Sequence, residues 1–106
     1  MTTYAVIREA GPGWAPGGIF DQPAVDEHAT FMNALAGEGL LLFAGPLAGT
    51  GTGCVRVLLI FEAESEAEIH RRLADDPWVR TDQLITANIE PWTLLVGAER
   101  LASVTS

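Results

Sequence analysis

The periods of hydrophobicity along this chain predict an α+β domain in which helices alternate with the strands of an antiparallel sheet. Three observations carry that prediction. Short runs rich in β-branched and aromatic residues recur at 3–8, 40–45, 54–62 and 84–96, the last three nearly all apolar or alternating. Residues 23–38 and 65–73 instead space their apolar side chains three and four apart, as a helix with one buried face does. Glycine- and proline-rich segments punctuate the chain between these runs. The order β-α-β-β-α-β is the ferredoxin-like split βαβ arrangement.

The first strand alternates and carries Tyr4, Val6 and Ile7. Residues 11–18, Gly-Pro-Gly-Trp-Ala-Pro-Gly-Gly, cannot continue a strand or a helix and form a loop. Trp14 in that loop folds back over something apolar, either as a lid on a pocket or as a plug on the edge of the core. The first helix is expected to open with Pro23 and to close at Gly37-Glu38-Gly39, where glycine takes the left-handed cap. Its stripe is Val25, His28, Met32 and Leu35, so an imidazole faces the interior. A core histidine is commonly satisfied by a backbone carbonyl; the alternative is a titratable group kept for chemistry.

Residues 40–45 read as a buried second strand, and residues 47–53 as a hairpin loop. The glycines of that loop lack the lysine of a nucleotide-binding pattern and lead into a strand instead of a helix. In the third strand Val55, Val57, Leu59 and Phe61 share one face, while Leu58 and Ile60 share the other with Arg56 and Glu62. A sheet apolar on both sides is covered on both sides. Helices of so short a chain cover one, so the other needs a second protomer or a closed barrel, and a homodimer is the first expectation. Ser65-Glu66-Ala67-Glu68 is a capping box that opens the second helix. Ile69 and Leu73 then point inward, and His70, Arg71 and Arg72 outward. Pro77 ends this helix and can start another turn, with Asp75 or Asp76 as its cap. In the last strand the parity of Ile85, Ala87 and Ile89 differs from that of Trp92, Leu94 and Val96, which predicts a bulge or an edge near Pro91.

Composition narrows the function. The chain has 106 residues, 48% of them hydrophobic, so it is one domain: residues 1–97, followed by a tail over 98–106 that either frays or crosses to a partner. Fourteen acidic residues oppose six basic ones, all arginine, for a net charge of −8. No positive stripe exists for nucleic acid. No apolar run approaches the length of a membrane span and no leader pattern opens the chain, which predicts a cytoplasmic protein without a membrane partner. Cys54 is the only cysteine; it forms no internal disulfide and reads as a buried strand residue, not a nucleophile.

One set of residues resembles a known family. His28, Phe31, Leu35, Gly39, the run Leu40-Leu41-Leu42-Phe43-Ala44-Gly45-Pro46, Asp76-Pro77-Trp78 and Pro91-Trp92 are similar to the pattern of the YciI-like, or YCII-related, proteins of the dimeric α/β-barrel superfamily. The resemblance implies a protomer that dimerises through its sheet and a pocket in which His28 and Asp76 meet. A carboxylate on one imidazole nitrogen fixes the tautomer and leaves the other nitrogen to take or give a proton. Such a pair suits isomerisation, lactone chemistry or elimination on a small enolisable or phenolic substrate, in a pocket lined by Trp14, Phe43, Gly45, Pro46 and Trp78. No cofactor is expected. One His and one carboxylate are too few for a closed metal site, and no serine is placed for a triad. The alternative is a protein that binds a small metabolite in the same pocket without converting it.

Overall fold

The computed structural model describes residues 1–49 and 55–101. Four strands, β1 (Thr2–Ala10), β2 (Leu41–Pro46), β3 (Arg56–Ala63) and β4 (Leu84–Pro91), form one sheet in the order β2-β3-β1-β4. Every neighbouring pair is antiparallel. Three helices connect them: α1 (Val25–Gly37), α2 (Glu66–Leu73) and the short α3 (Pro77–Arg80). A 3₁₀ turn at Ile19–Asp21 precedes α1. The result is the expected ferredoxin-like α+β fold, with α3 added before the last strand. No helix among the described residues is long and apolar enough to cross a membrane.

The core lies on one face of the sheet. Tyr4 and Val6 of β1 and Leu59 and Phe61 of β3 meet Leu35 of α1 and Ile69 and Leu73 of α2, all buried. Pleating puts alternate residues on opposite faces, so Ala5, Ile7, Leu58 and Ile60 point away from the helices. That outer face carries Phe43, 52% exposed, and a shallow depression beneath Trp92, 46% exposed. An apolar outer face is what the two-sided pattern of β3 predicts.

Several local expectations need correction. Helix α1 begins at Val25, not Pro23, because Ala24 adopts the left-handed region (φ 60°) and turns the chain before the helix can start. Its other end is as expected, with Gly39 at φ 82°. Strand β2 lies at the edge of the sheet, and within the protomer Phe43 and Ala44 are exposed instead of buried. The last strand ends at Pro91, short of Val96. Its irregularity sits at Ala87: Arg8 pairs with Thr86 and Ile7 with Asn88, leaving Ala87 as the extra residue. Pro91 remains in register opposite Tyr4, tolerated because β4 is an edge. In the cap of α2 the Ser65 hydroxyl accepts from the Glu68 amide at 3.2 Å, but the Glu68 carboxylate reaches Glu64 N, one residue further back than a capping box requires. Cys54, most of the expected 47–53 loop and the end of the tail lie outside the described residues.

The loop over 11–18 is held by close backbone contact. Gly11 N donates to Gln83 O at 2.9 Å and Gly13 N to Asp82 O at 2.8 Å. A Cβ on Gly13 would stand 1.9 Å from Thr81 O, so only glycine fits there. Gln22, buried, secures the far side of the loop by bonding both Ala15 N and Ala15 O.

Candidate functional site

The site is built where α1, α3 and β1 converge. After α2 ends, Pro77 occupies the first turn of α3, where its missing amide hydrogen costs nothing, and Asp76 caps the helix by accepting from Trp78 N at 3.0 Å. The cap orients the carboxylate toward α1. There His28 Nδ1 lies 2.8 Å from Asp76 Oδ1 and 3.0 Å from Oδ2. The cap and the partner of His28 are one and the same carboxylate.

Trp78 fixes the imidazole plane. Its indole stacks on the His28 ring with centroids 3.8 Å apart and planes 6° from parallel, while its Nε1 donates to Pro23 O at 2.8 Å. Trp14 meets Trp78 edge to face at 5.8 Å. The ring of His28 therefore has one plane and one hydrogen-bonded nitrogen already determined. Its Nε2 makes no hydrogen bond with any described residue.

Sequence reasoning missed Arg8. Its Nη1 lies 3.0 Å from Asp76 Oδ2, and the two side chains are 1% and 0% exposed. Buried charges are stable only when paired, so Arg8 and Asp76 depend on each other. The signal was present: Tyr4, Val6 and Arg8 share the parity of β1 that faces the core, and a cation at the end of an apolar parity needs a buried anion.

Burial pushes the Asp76 carboxyl upward. The hydrogen bonds from His28 and from Trp78 N–H, together with the charge of Arg8, outweigh burial and hold it below its ordinary value. Burial likewise pulls the Arg8 guanidinium down, against the attraction of Asp76. With Asp76 ionised, Nδ1 of His28 must be the protonated nitrogen that donates to it, and a neutral imidazole then carries its lone pair on Nε2.

A cavity of about 220 Å³ opens on this cluster. Arg8, His28 and Trp78 line it together with Gly45 and Pro46, and Asn33 adds a polar group that sequence reasoning did not single out. Asp76 sits behind His28, fully buried. A broader groove of about 920 Å³ adjoins the cavity, sharing Ile19 and Pro46 with it, and Trp14 lies in the wall of this groove instead of the inner cavity. Phe43 is not part of either. Leu42 is bulged out of the β2–β3 register, so Phe43 pairs with Ile60 on the outer face. Among the described residues no three His, Cys, Asp or Glu side chains gather as metal ligands.

Among solved structures, the chain is similar to the 5-chloro-2-hydroxyhydroquinone dehydrochlorinase of Burkholderia phenoliruptrix AC1100 in complex with 2,5-dihydroxybenzoquinone. The two share 26% identity over 86% of this chain and 93% of that one, with a TM-score of 0.58. No curated protein matches significantly. A model of the YCII-related domain matches residues 3–93, a span that holds Arg8, His28 and Asp76 and all of the four strands but Thr2, and the chain belongs to the YCII-related family.

Proposed function

We propose that this protein is a small enzyme that needs no cofactor, in which His28 transfers a proton at Nε2 and Asp76 orients it. The observation that carries the proposal is the 2.8 Å contact of Nδ1 with a carboxylate held ionised, while Nε2, beside a cavity, bonds to no described residue. A base in that position removes a proton from a small enolisable or phenolic substrate and can return it elsewhere. In an elimination, the leaving group departs with its electron pair while His28 holds the proton, so no oxidant is required. The dehydrochlorinase that this chain resembles supports elimination from a hydroxylated ring, ahead of isomerisation or lactone chemistry. Gly45, Pro46 and Trp78 bind the substrate at the cavity, and Trp14 borders its approach.

Incubation with 5-chloro-2-hydroxyhydroquinone under reducing conditions, with chloride release as the readout, tests this. Release by the wild type should fall at least about a hundredfold in His28→Gln, the usual worth of a positioned acid or base. Saturable binding of 2,5-dihydroxybenzoquinone without release of chloride from the chlorinated quinol, and without deuterium exchange into a panel of small enolisable compounds, would favour the second reading, a metabolite-binding protein.

We also infer a homodimer through the outer sheet face, where Phe43 and Trp92 stand exposed beside Ala5, Leu58 and Ile60. Two such sheets face to face would bury one apolar patch against its own copy and form an α/β barrel. Sedimentation should give a dimer for the wild type and a monomer for Phe43→Glu. A monomeric wild type would refute it.

A further inference from the structure

We propose that Arg8 holds an oxyanion in the His28 cavity, so that the ligand is a phenol or enol bound as its anion. The inference rests on the reading of that cavity as the ligand site and adds the charge of the ligand. Arg8 is 1% exposed, lines the cavity and uses Nη1 on Asp76, yet its Nε and Nη2 have no hydrogen-bond partner among the described residues. Two unpaired donors on a buried cation are expensive, and native cores seldom retain them without a purpose.

Among the described residues, none accepts a hydrogen bond from either donor. Asp76 already receives His28 Nδ1, Trp78 N and Arg8 Nη1. The cross-strand neighbours of Arg8 are Val57 and Thr86. Around the guanidinium the wall is mostly apolar, with Met32, Val57 and Leu59 among its residues. The planar fork of an arginine suits an anionic oxygen on a flat ring better than a point charge does, and the apolar wall strengthens the contact. Arg8, Asp76 and a neutral His28 sum to no net charge. When His28 takes a proton from the ligand, the anion that forms stays beside a guanidinium with donors to spare, and the Asp76 charge is answered by the new imidazolium.

Binding of 4-nitrophenol and of its methyl ether, 4-nitroanisole, tests this without knowledge of the natural substrate. At neutral pH the wild type should bind the phenol in its yellow phenolate form, at least about tenfold tighter than the ether, as expected for hydrogen bonds to a charged group. Arg8→Lys retains a cation for Asp76 but removes the planar fork, and it should lose most of that preference while its melting temperature stays near that of the wild type. Equal binding of phenol and ether by the wild type, or no saturable binding of the phenol, would overturn the proposal. So would a preference that survives in Arg8→Lys. Loss of catalysis in His28→Gln is read separately by chloride release, so an enzyme reading can fail while phenolate binding stands.

Discussion

Two charge clusters join the α1 region to the α2–α3 region, and the shorter contact is the less consequential. Arg72 Nη2 lies 2.6 Å from Glu38 Oε2, but the two side chains are 32% and 51% exposed. Asp76 lies 2.8 Å from His28 and 3.0 Å from Arg8, with the carboxylate fully buried. Water replaces either partner of the first cluster at little cost, whereas removing one member of the second strands a buried charge. The largest expected effect is therefore Asp76→Ala. It leaves Arg8 in the core without an anion and removes the cap of α3, which should cost about 3–5 kcal/mol. At about 4–8 °C per kcal/mol, thermal denaturation should fall by more than about 12 °C. A loss of only a degree or two would place the buried cluster on the same footing as the exposed one.

Acid sharpens the same contrast. The folded-state pKa of Asp76 is lowered from 3.8, so its contribution is present in full above that value and is lost as pH falls through the folded pKa. Once protonated, the wild type holds a buried Arg8 without an anion, as Asp76→Ala does at every pH. The gap between the two melting temperatures should be widest above about pH 5 and shrink toward about pH 2. A constant gap would show that Asp76 stabilises the fold through its cap and packing alone. His28→Ala is the milder case, because Asp76 keeps Arg8 and the Trp78 amide. The lost hydrogen bond, on a ring still 16% exposed, should cost about 1 kcal/mol, or roughly 4–8 °C.

The clusters also differ in how much of them the sequence shows. Helical spacing placed His28 on the inner stripe of α1, and Asp before Pro77 marked the cap of α3, each from local rules. Their meeting is another matter: the two residues are 48 positions apart, and no periodicity links separate elements. It came from family resemblance. Arg8 is legible as a charge on the core parity of β1, but its partner, 68 positions away in another element, is not. Phe43 stands on the outer face and not in the cavity, because one bulged residue at Leu42 reverses every face after it, and no local rule marks that bulge. Ala24 carried no signal, since a left-handed turn at alanine is set by the tertiary bonds around it; here Pro23 O accepts from both Trp78 and Gln83. The order of the elements was readable because it depends only on where one period gives way to another.

The smallest expected effect belongs to the exposed pair. The hydrogen bond from Arg72 is the largest cause of the lowered Glu38 pKa, yet a carboxylate in open water regains hydration as soon as the pair separates. Glu38 also lies at the end of α1, where Gly39 and the backbone bond from Glu38 N to Ala34 O terminate the helix without help from its side chain. Glu38→Gln should therefore melt within about a degree of the wild type, and raising salt should narrow even that difference. Arg72→Met should match it, and the double variant should show no added loss. A clear loss in either single variant, recovered as coupling in the double-variant cycle, would mean that a 2.6 Å contact in water does hold α1 against α2. Distance would then rank the two clusters correctly, and burial would not.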